Sequence, residues 1–344
     1  MIGMSGGVDS SVAAYLTQEA GYRCVGATMR LYESSGEINT EDAKSVAQKL
    51  GMPFYVFDMT DDFRKCVTDH FAASYEAGLT PNPCVVCNRR LKFSKFLDQA
   101  QQAGCDFIVT GHYARIEQDP DTGRFTLKKA MDADKDQTYF LYSLTQHQLA
   151  HTLFPLGSLT KAEVRQIAQT QGFLNAKKKD SQDICFVPDG DYVSFLKQYT
   201  GKTYPAGDYL DLQGNMVGRH EGTVAYTLGQ RKGLGIALGA PVYVCAKDMV
   251  SNTVTVGPNE ALYRTSLLAD DWNWISIAQL DKPLRCMAKA RSRMTEQPAT
   301  VYPLANGAAR VEFDEPQRAL TPGQAIVLYD GDTVLGGGTI TEIL

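Results

Sequence analysis

Six residues near the start, Ser5-Gly6-Gly7-Val8-Asp9-Ser10, constrain the fold more than any other stretch of this chain. Two adjacent glycines let the backbone take positive φ and turn successive N–H groups toward one point. The residues that follow, Ser10 to Ala20, carry Val12, Ala13 and Leu16 on one side and stop at Gly21, which reads as a helix with a glycine C′ residue. A short strand, a Ser/Gly turn and a helix N-terminus together make a cradle for an anion. The Lys of the G-x-x-x-x-G-K-[ST] loop is absent, so the usual grip on β- and γ-phosphates is missing, and chemistry at an α-phosphate is favoured. Only Met1 to Met4 precede the turn, so the first strand is short and the start of the chain reads as clipped.

Beyond this turn, "CVGATMRLY" and "PFYVFDM" read as buried strands, with a helix between them capped at Asn39 or Thr40 and stopped at Gly51. "LKFSKFLDQAQQAG" and "CDFIVTGHYAR" repeat the helix–strand alternation, which argues for an α/β fold with a helix-covered parallel sheet. Helical text ends near "VSFLKQYTG", and glycine-rich short strands follow from Lys202. The last stretch alternates apolar and polar residues around Asp330-Gly331, a hairpin signal. The expected division is residues 1–198, a catalytic domain; 199–266, a small β-rich central domain; and 267–344, a β-barrel. At 344 residues the chain has room for all three.

No apolar run reaches the roughly 20 residues of a membrane span, and the start has no basic segment followed by an apolar one, so a cytoplasmic protein is expected. Eight cysteines are too few for a disulfide scaffold of this length, and in a reducing compartment they remain thiols. A net charge of −5 offers no global attraction to nucleic acid, so any such partner must be held by local basic patches. "TPNPCVVCNRRLKF" puts Cys84 and Cys87 three residues apart near a helix N-terminus begun by Pro83. "KKKDSQDICFV" puts Cys185 after three lysines. The dipole at the first site and the positive charge at the second are expected to favour thiolate. Arg285, Lys289, Arg291 and Arg293 are expected to share one face of a strand and to offer a second basic patch.

The six-residue turn resembles the S-G-G-x-D-S signature of the PP-loop ATP pyrophosphatases, whose fold is adenine nucleotide alpha hydrolase-like. The wider set "GMSGGVDSSVAAYL", "TPNPCVVCNRRLKF", "TGHYAR", "DKDQTYFLY", "SQDICF", "YTLGQRKGLGI", "MAKARSR" and "LTPGQAIVLYD" is similar, in order and over nearly the whole chain, to the tRNA-specific 2-thiouridylases. That resemblance implies an ATP-dependent sulfurtransferase that adenylates the C2 oxygen of the wobble uridine and replaces it with sulfur. It implies Cys87 as nucleophile and Cys185 as persulfide carrier. It implies ATP contacts at Gly3, Met4, Ser5, Gly6, Gly7, Val8, Asp9, Ser10, Met29 and Gly111, with Mg²⁺ near Asp9. It also implies tRNA contacts at Asn82, Pro83, Cys84, His112, Lys135, Asp136, Gln137, Arg291, Ser292 and Gln324. The partners it implies are the anticodon regions of the tRNAs for Lys, Glu and Gln, and a cysteine desulfurase or a sulfur carrier charged by one.

One departure stands out: where the family often has Asp, this chain has Cys84. Three thiols, Cys84, Cys87 and Cys185, could then converge on a [4Fe–4S] cluster or a zinc. Two rival functions remain, a PP-loop ligase or amidotransferase acting on a small metabolite, and a zinc-stapled, non-catalytic tRNA-binding module. Cys24, Cys66, Cys105, Cys245 and Cys286 read as structural, and of the five histidines only His112, at a strand end, reads as functional.

Overall fold

A computed structural model describes residues 1–32, 40–176, 178 and 184–344. Strands β1 (Ile2–Gly3), β2 (Gly26–Arg30), β3 (Phe54–Asp58) and β4 (Ile108–Val109) are followed by a hairpin, β5 (Arg115–Gln118) and β6 (Phe125–Lys128), and by β7 (Thr152–Leu153). Five of them form a parallel sheet in the order β3-β2-β1-β4-β7. Alternate side chains leave opposite faces of each strand. Ile2 and Val109 therefore enter one apolar cluster, with Val12, Ala13 and Ala14 of helix α1 (Val8–Glu19) and Ala43, Val46 and Ala47 of α2 (Thr40–Lys49). Met1, Ala27 and Ile108 enter the other, with Phe93, Phe96, Leu97 and Ala100. The parallel, helix-covered architecture expected from the alternating pattern is present.

Two long helical segments cross the C-terminal edge of this sheet. The first runs from α3 (Thr60–Phe63) through a π-helical turn, Arg64–Thr68, into α4 (Asp69–Glu76). The second runs from α5 (Pro83–Cys87) through a π-helical stretch, Asn88–Lys95, into α6 (Phe96–Gln102). π-Helical turns are rare and concentrate at functional sites.

A four-stranded sheet follows, built of β8 (Gly207–Leu210), β9 (Met216–His220), β10 (Tyr243–Asp248) and β11 (Thr253–Gly257) in the order β10-β11-β8-β9. Its small core holds Tyr209, Tyr226, Leu234, Val244, Val254 and Val256. The glycine-rich segment between β9 and β10 is anchored at Leu234, whose carbonyl accepts a 2.9 Å hydrogen bond from the Tyr209 hydroxyl.

The C-terminal strands are β12 (Tyr263–Trp274), β13 (Leu284–Lys289), β14 (Gln297–Pro303), β15 (Ala309–Arg318), β16 (Ala325–Asp330) and β17 (Thr333–Ile343). Pairing of β12 with both β15 and β17 closes them into a six-stranded antiparallel barrel, the expected fold of this part. The barrel is welded to the first sheet in a way the sequence pattern did not announce. Hairpin β5–β6 adds to the outside of β17, pairing Thr333 with Lys128 and Val334 with Leu127. Val327, Tyr329 and Val334 lie in the same apolar cluster as Phe93 and Phe96.

Candidate active site

Glycine and two short polar side chains shape the opening turn. Gly6 has φ 70°, a conformation that favours glycine. The Ser5 N–H donates to Ser10 Oγ at 3.2 Å, and the Ser10 and Ser11 hydroxyls donate to the Gly7 carbonyl at 3.1 and 2.9 Å. Gly7 caps α1 without any side-chain hydrogen bond, which leaves the first N–H groups of the helix for a ligand. Buried Asn175 ties the loop from behind, donating to the Gly6 carbonyl at 3.0 Å and to Ser11 Oγ at 2.9 Å. Asp9 is held by three bonds: Lys161 Nζ lies 2.7 and 2.8 Å from its two oxygens, and the Tyr113 hydroxyl donates to Oδ1 at 2.9 Å. Asn175, Lys161 and Tyr113 lie more than 100 residues along the chain from the loop they hold, and the sequence reading missed all three.

The remaining residues expected to contact ATP gather at the same sheet edge. Met29 is on β2, and its Cε would stand 3.7 Å from a Cβ placed on Gly3. Gly111 follows β4, and a Cβ there would sit 2.7 Å from Asp9 C and Ser10 N. This close approach packs the β4 exit against the glycine turn. Gly111→Ala should therefore displace the turn, cost about 1–3 kcal/mol of stability, and weaken nucleotide binding about tenfold or more. Thermal melts and calorimetric titration with ATP check this; unchanged ATP affinity would separate Gly111 from the loop's function.

Cys84 and Cys87 lie on α5, and Cys185 lies in a turn whose next residue, Phe186, packs in the Cys87 cluster. The Asn82 side chain caps α5, accepting from the Val85 N–H at 3.4 Å, and Pro83 opens the first turn, as the sequence suggests. Cys87 is 7% exposed and packs with Phe63, Val67, Leu91 and, at the rim, Cys66, Tyr32 and Phe186, the residue after Cys185. Cys84 and Cys185 are exposed at the surface. The sulfurs share one electrostatic neighbourhood: Cys87 and Cys84 both raise the Cys185 thiol, and Cys84 raises that of Cys87.

That neighbourhood corrects the expectation of acidified thiols. Burial dominates at all three and pushes them up, Cys185 to about 11. The helix dipole does not overcome the loss of water. Of the three lysines before Cys185, Lys178 is paired with Asp42 at 3.0 Å, and Lys177 and Lys179 lie outside the described residues. The opposing charge comes from Lys92, which lowers Cys84, Cys87 and Cys185 alike. In an α-helix residue 92 would lie about 140° around the axis from residue 87. The π winding of Asn88–Lys95, closed by Phe96 N–H to the Leu91 carbonyl, brings residue i+5 back over residue i. Lys92 thus faces the thiols between buried Leu91 and Phe93.

Lys92→Gln removes the cation that favours thiolate. Alkylation of Cys185 by iodoacetamide, rising with pH toward about 11 in the native protein, should shift to higher pH and slow about two- to fivefold at pH 8, with recovery in Lys92→Arg. An unchanged pH profile would remove Lys92 from the thiol site.

His112 stands on the other side, at ring distances of 5.5 Å from Phe93 and 5.9 Å from Phe154, with Nδ1 2.7 Å from Thr110 Oγ1. Burial, then the Lys92 charge, hold it well below the usual imidazole range, so it is neutral at physiological pH.

Other expected RNA contacts are engaged within the protein. Asp136 accepts from the Ala130 N–H and Thr138 Oγ1, Gln137 accepts from the Tyr113 N–H, and Lys135 lies in the same turn. Gln324 donates to the Thr80 carbonyl at 2.8 Å. Arg291 donates to the carbonyls of Leu228 and Ala319 and to Thr321 Oγ1, and Ser292 stands beside it in a turn. The expected four-residue basic face is not formed: β13 ends at Lys289, and Arg285 is paired with Asp314.

Nor does the metal expectation find a ligand set. Among the described residues no group of three or more His, Cys, Asp or Glu side chains is arranged to hold a metal ion, Cys84, Cys87 and Cys185 included.

Three family descriptions match successive parts of the chain: tRNA methyl transferase HUP domain at residues 1–189, tRNA methyl transferase PRC-barrel domain at 193–258, and aminomethyltransferase beta-barrel domain at 264–340. The tRNA-specific 2-thiouridylase MnmA of Clostridioides difficile is 47% identical across 100% of this chain and 98% of its own length. That of Symbiobacterium thermophilum is 51% identical across 100% of this chain and 92% of its own length. Among solved structures, a 4-thiouridine synthetase–RNA complex with bound ATP aligns over 57% of this chain and 49% of that one, at 19% identity and a TM-score of 0.40. By full-length identity to these relatives, the chain belongs to the tRNA-specific 2-thiouridylase family.

Proposed function

We propose that this protein is an ATP-dependent tRNA sulfurtransferase that converts C2=O of the wobble uridine to C2=S, releasing AMP and pyrophosphate. The observation that carries the reading is the shared neighbourhood of Cys87 and Cys185, 98 residues apart in sequence, with Phe186 beside Cys185 packed in the Cys87 cluster. A ligase or amidotransferase for a small metabolite has no use for that pair, and a zinc staple has no ligand set among the described residues.

Uracil O2 is a poor leaving group and must first be activated. Its attack on the α-phosphate of ATP expels pyrophosphate, held by the Gly6–Gly7 turn and the free N–H groups of α1. Asp9 is the carboxylate beside the turn that would meet Mg²⁺ carried on the phosphates, where the ion would neutralise pyrophosphate charge; Lys161 now occupies both Asp9 oxygens and would share that position. Sulfur enters as a persulfide on Cys185. Its terminal sulfur attacks C2, and AMP departs with the C–O electron pair. The Cys87 thiolate then attacks Cys185 Sγ, the S–S bond breaks, and the sulfur stays on the uridine. Cys87 and Cys185 end as a disulfide, which an external thiol reductant reopens. In the alternative order the Cys87 thiolate attacks Cys185 Sγ first, forming the Cys87–Cys185 disulfide and expelling hydrosulfide, which then attacks C2 and displaces AMP.

Such a base must leave its stack to reach the thiols. Asn82, Pro83 and Cys84 would border it on one side and neutral His112 on the other, with Met29 against the adenine. The 135–137 turn, Arg291 with Ser292, and Gln324 would shape the RNA-facing surface through the bonds described above. Residues 1–198 would then carry the chemistry, with 199–266 and 267–344 supporting the RNA. A cysteine desulfurase, or a carrier charged by one, would supply the sulfur in the cytoplasm, and the tRNAs for Lys, Glu and Gln are the substrates to test.

Purified protein given ATP, a persulfide donor and those tRNAs should yield 2-thiouridine, measured by nucleoside mass spectrometry. Cys185→Ser should lose thiolation by at least about a hundredfold while tRNA-dependent pyrophosphate release persists. Thiolation retained in that variant would reject Cys185 as the carrier.

A further inference from the structure

The transfer proposed above leaves the carrier, Cys185, locked to Cys87 after each turnover, and the third thiol of the cluster has no part in it. We propose that Cys84 is the resolving thiol of this site: it attacks Cys87 in the Cys87–Cys185 disulfide, forms a Cys84–Cys87 disulfide along α5, and frees Cys185 to be recharged with sulfur. This deepens the sulfur-transfer reading and rests on it.

Helix geometry supplies the first support. Cys84 and Cys87 occupy positions i and i+3 of α5, on one face, with the Cβ separation of about 5–6 Å that such pairs have. A small adjustment of the first turn brings that separation into disulfide range.

Accessibility gives the second. Cys87 is 7% exposed and walled by Phe63, Val67 and Leu91, so a bulky external reductant has no approach to its sulfur. Cys84 and Cys185 are open to solvent. Attack by an external thiol on Cys185 would free Cys87 but leave a mixed disulfide on the carrier. Attack by Cys84 on Cys87 frees the carrier at once and moves the oxidised pair to an exposed position. The charge of Cys84 acts on both Cys87 and Cys185, and Lys92 favours the thiolate of all three.

The exchange balances without any oxidant. The Cys84 thiolate bonds to Cys87 Sγ, the Cys87–Cys185 bond breaks, and Cys185 leaves as thiolate with the electron pair. The proton lost by Cys84 is matched by the one Cys185 takes up. An external dithiol then reduces the Cys84–Cys87 pair, becoming a disulfide itself.

The test uses the full-length protein loaded with persulfide at Cys185, mixed anaerobically with ATP and tRNA, quenched with iodoacetamide after one turnover and mapped by peptide mass spectrometry. Wild-type protein should show Cys84 linked to Cys87 and Cys185 alkylated. Cys84→Ser should trap Cys87 linked to Cys185, and with a dithiol reductant present its later turnovers should slow about tenfold relative to its first. Wild-type protein that makes 2-thiouridine but retains only the Cys87–Cys185 link overturns this proposal alone. Equal ratios of later to first turnover in the variant and wild type overturn it as well. Wild-type protein that makes no 2-thiouridine overturns the transfer reading and this proposal with it.

Discussion

Two sulfurs, Cys84 and Cys87, stand on one capped helix, Cys185 shares their electrostatic neighbourhood from a separate turn, and one lysine opposes the mutual repulsion of the three thiolates. Burial alone would leave these thiols protonated and inert, since a thiolate out of water is costly. Lys92, within the π-wound stretch Asn88–Lys95, offsets part of that cost without reversing it. The same winding sets buried Leu91 against Cys87 and buried Phe93 against His112. The path of one helix therefore decides where nucleophile, counter-charge and neutral imidazole stand.

The barrel holds that helix at both ends. Ahead of the cap, the Thr80 N–H donates to the Pro322 carbonyl at 3.0 Å, and Gln324 bonds the Thr80 carbonyl. A Cβ on Gly323 would lie 2.9 Å from Thr80 N, so the barrel turn approaches the helix entry as closely as glycine allows. Beyond the thiols, Arg89 forms a two-point ion pair with Asp271 on β12. Hairpin β5–β6 adds a third tie. These contacts fix the thiol helix relative to the glycine turn, and a transfer between bound groups depends on such positioning.

Much of this was legible in the residues. The Ser-Gly-Gly-Val-Asp-Ser turn, the helix opened by Pro83 and the strand Ile108–Val109 that leads to His112 all have local signatures, because glycine, proline and alternation act over a few residues. Other features depend on the folded whole. Nothing near Lys161 or Asn175 says that they grip a loop more than 150 residues away. "LKFSKF" reads as ordinary α-helix, since π winding arises from packing rather than propensity. The thiols were expected to be acidified by a nearby dipole and lysines; burial won, and burial is a property of the assembled site. Arg285 and Arg291 looked like a basic face because sequence displays charges and conceals the carboxylate and carbonyls that engage them.

The central claim is that Cys87 and Cys185 can join to each other within one chain. Brief diamide oxidation of the Cys84→Ser protein, followed by alkylation and peptide mapping, measures this directly. The account predicts rapid, concentration-independent formation of a Cys87–Cys185 disulfide within one chain. Two thiols that remain separately alkylatable, or that link only between chains, would contradict it.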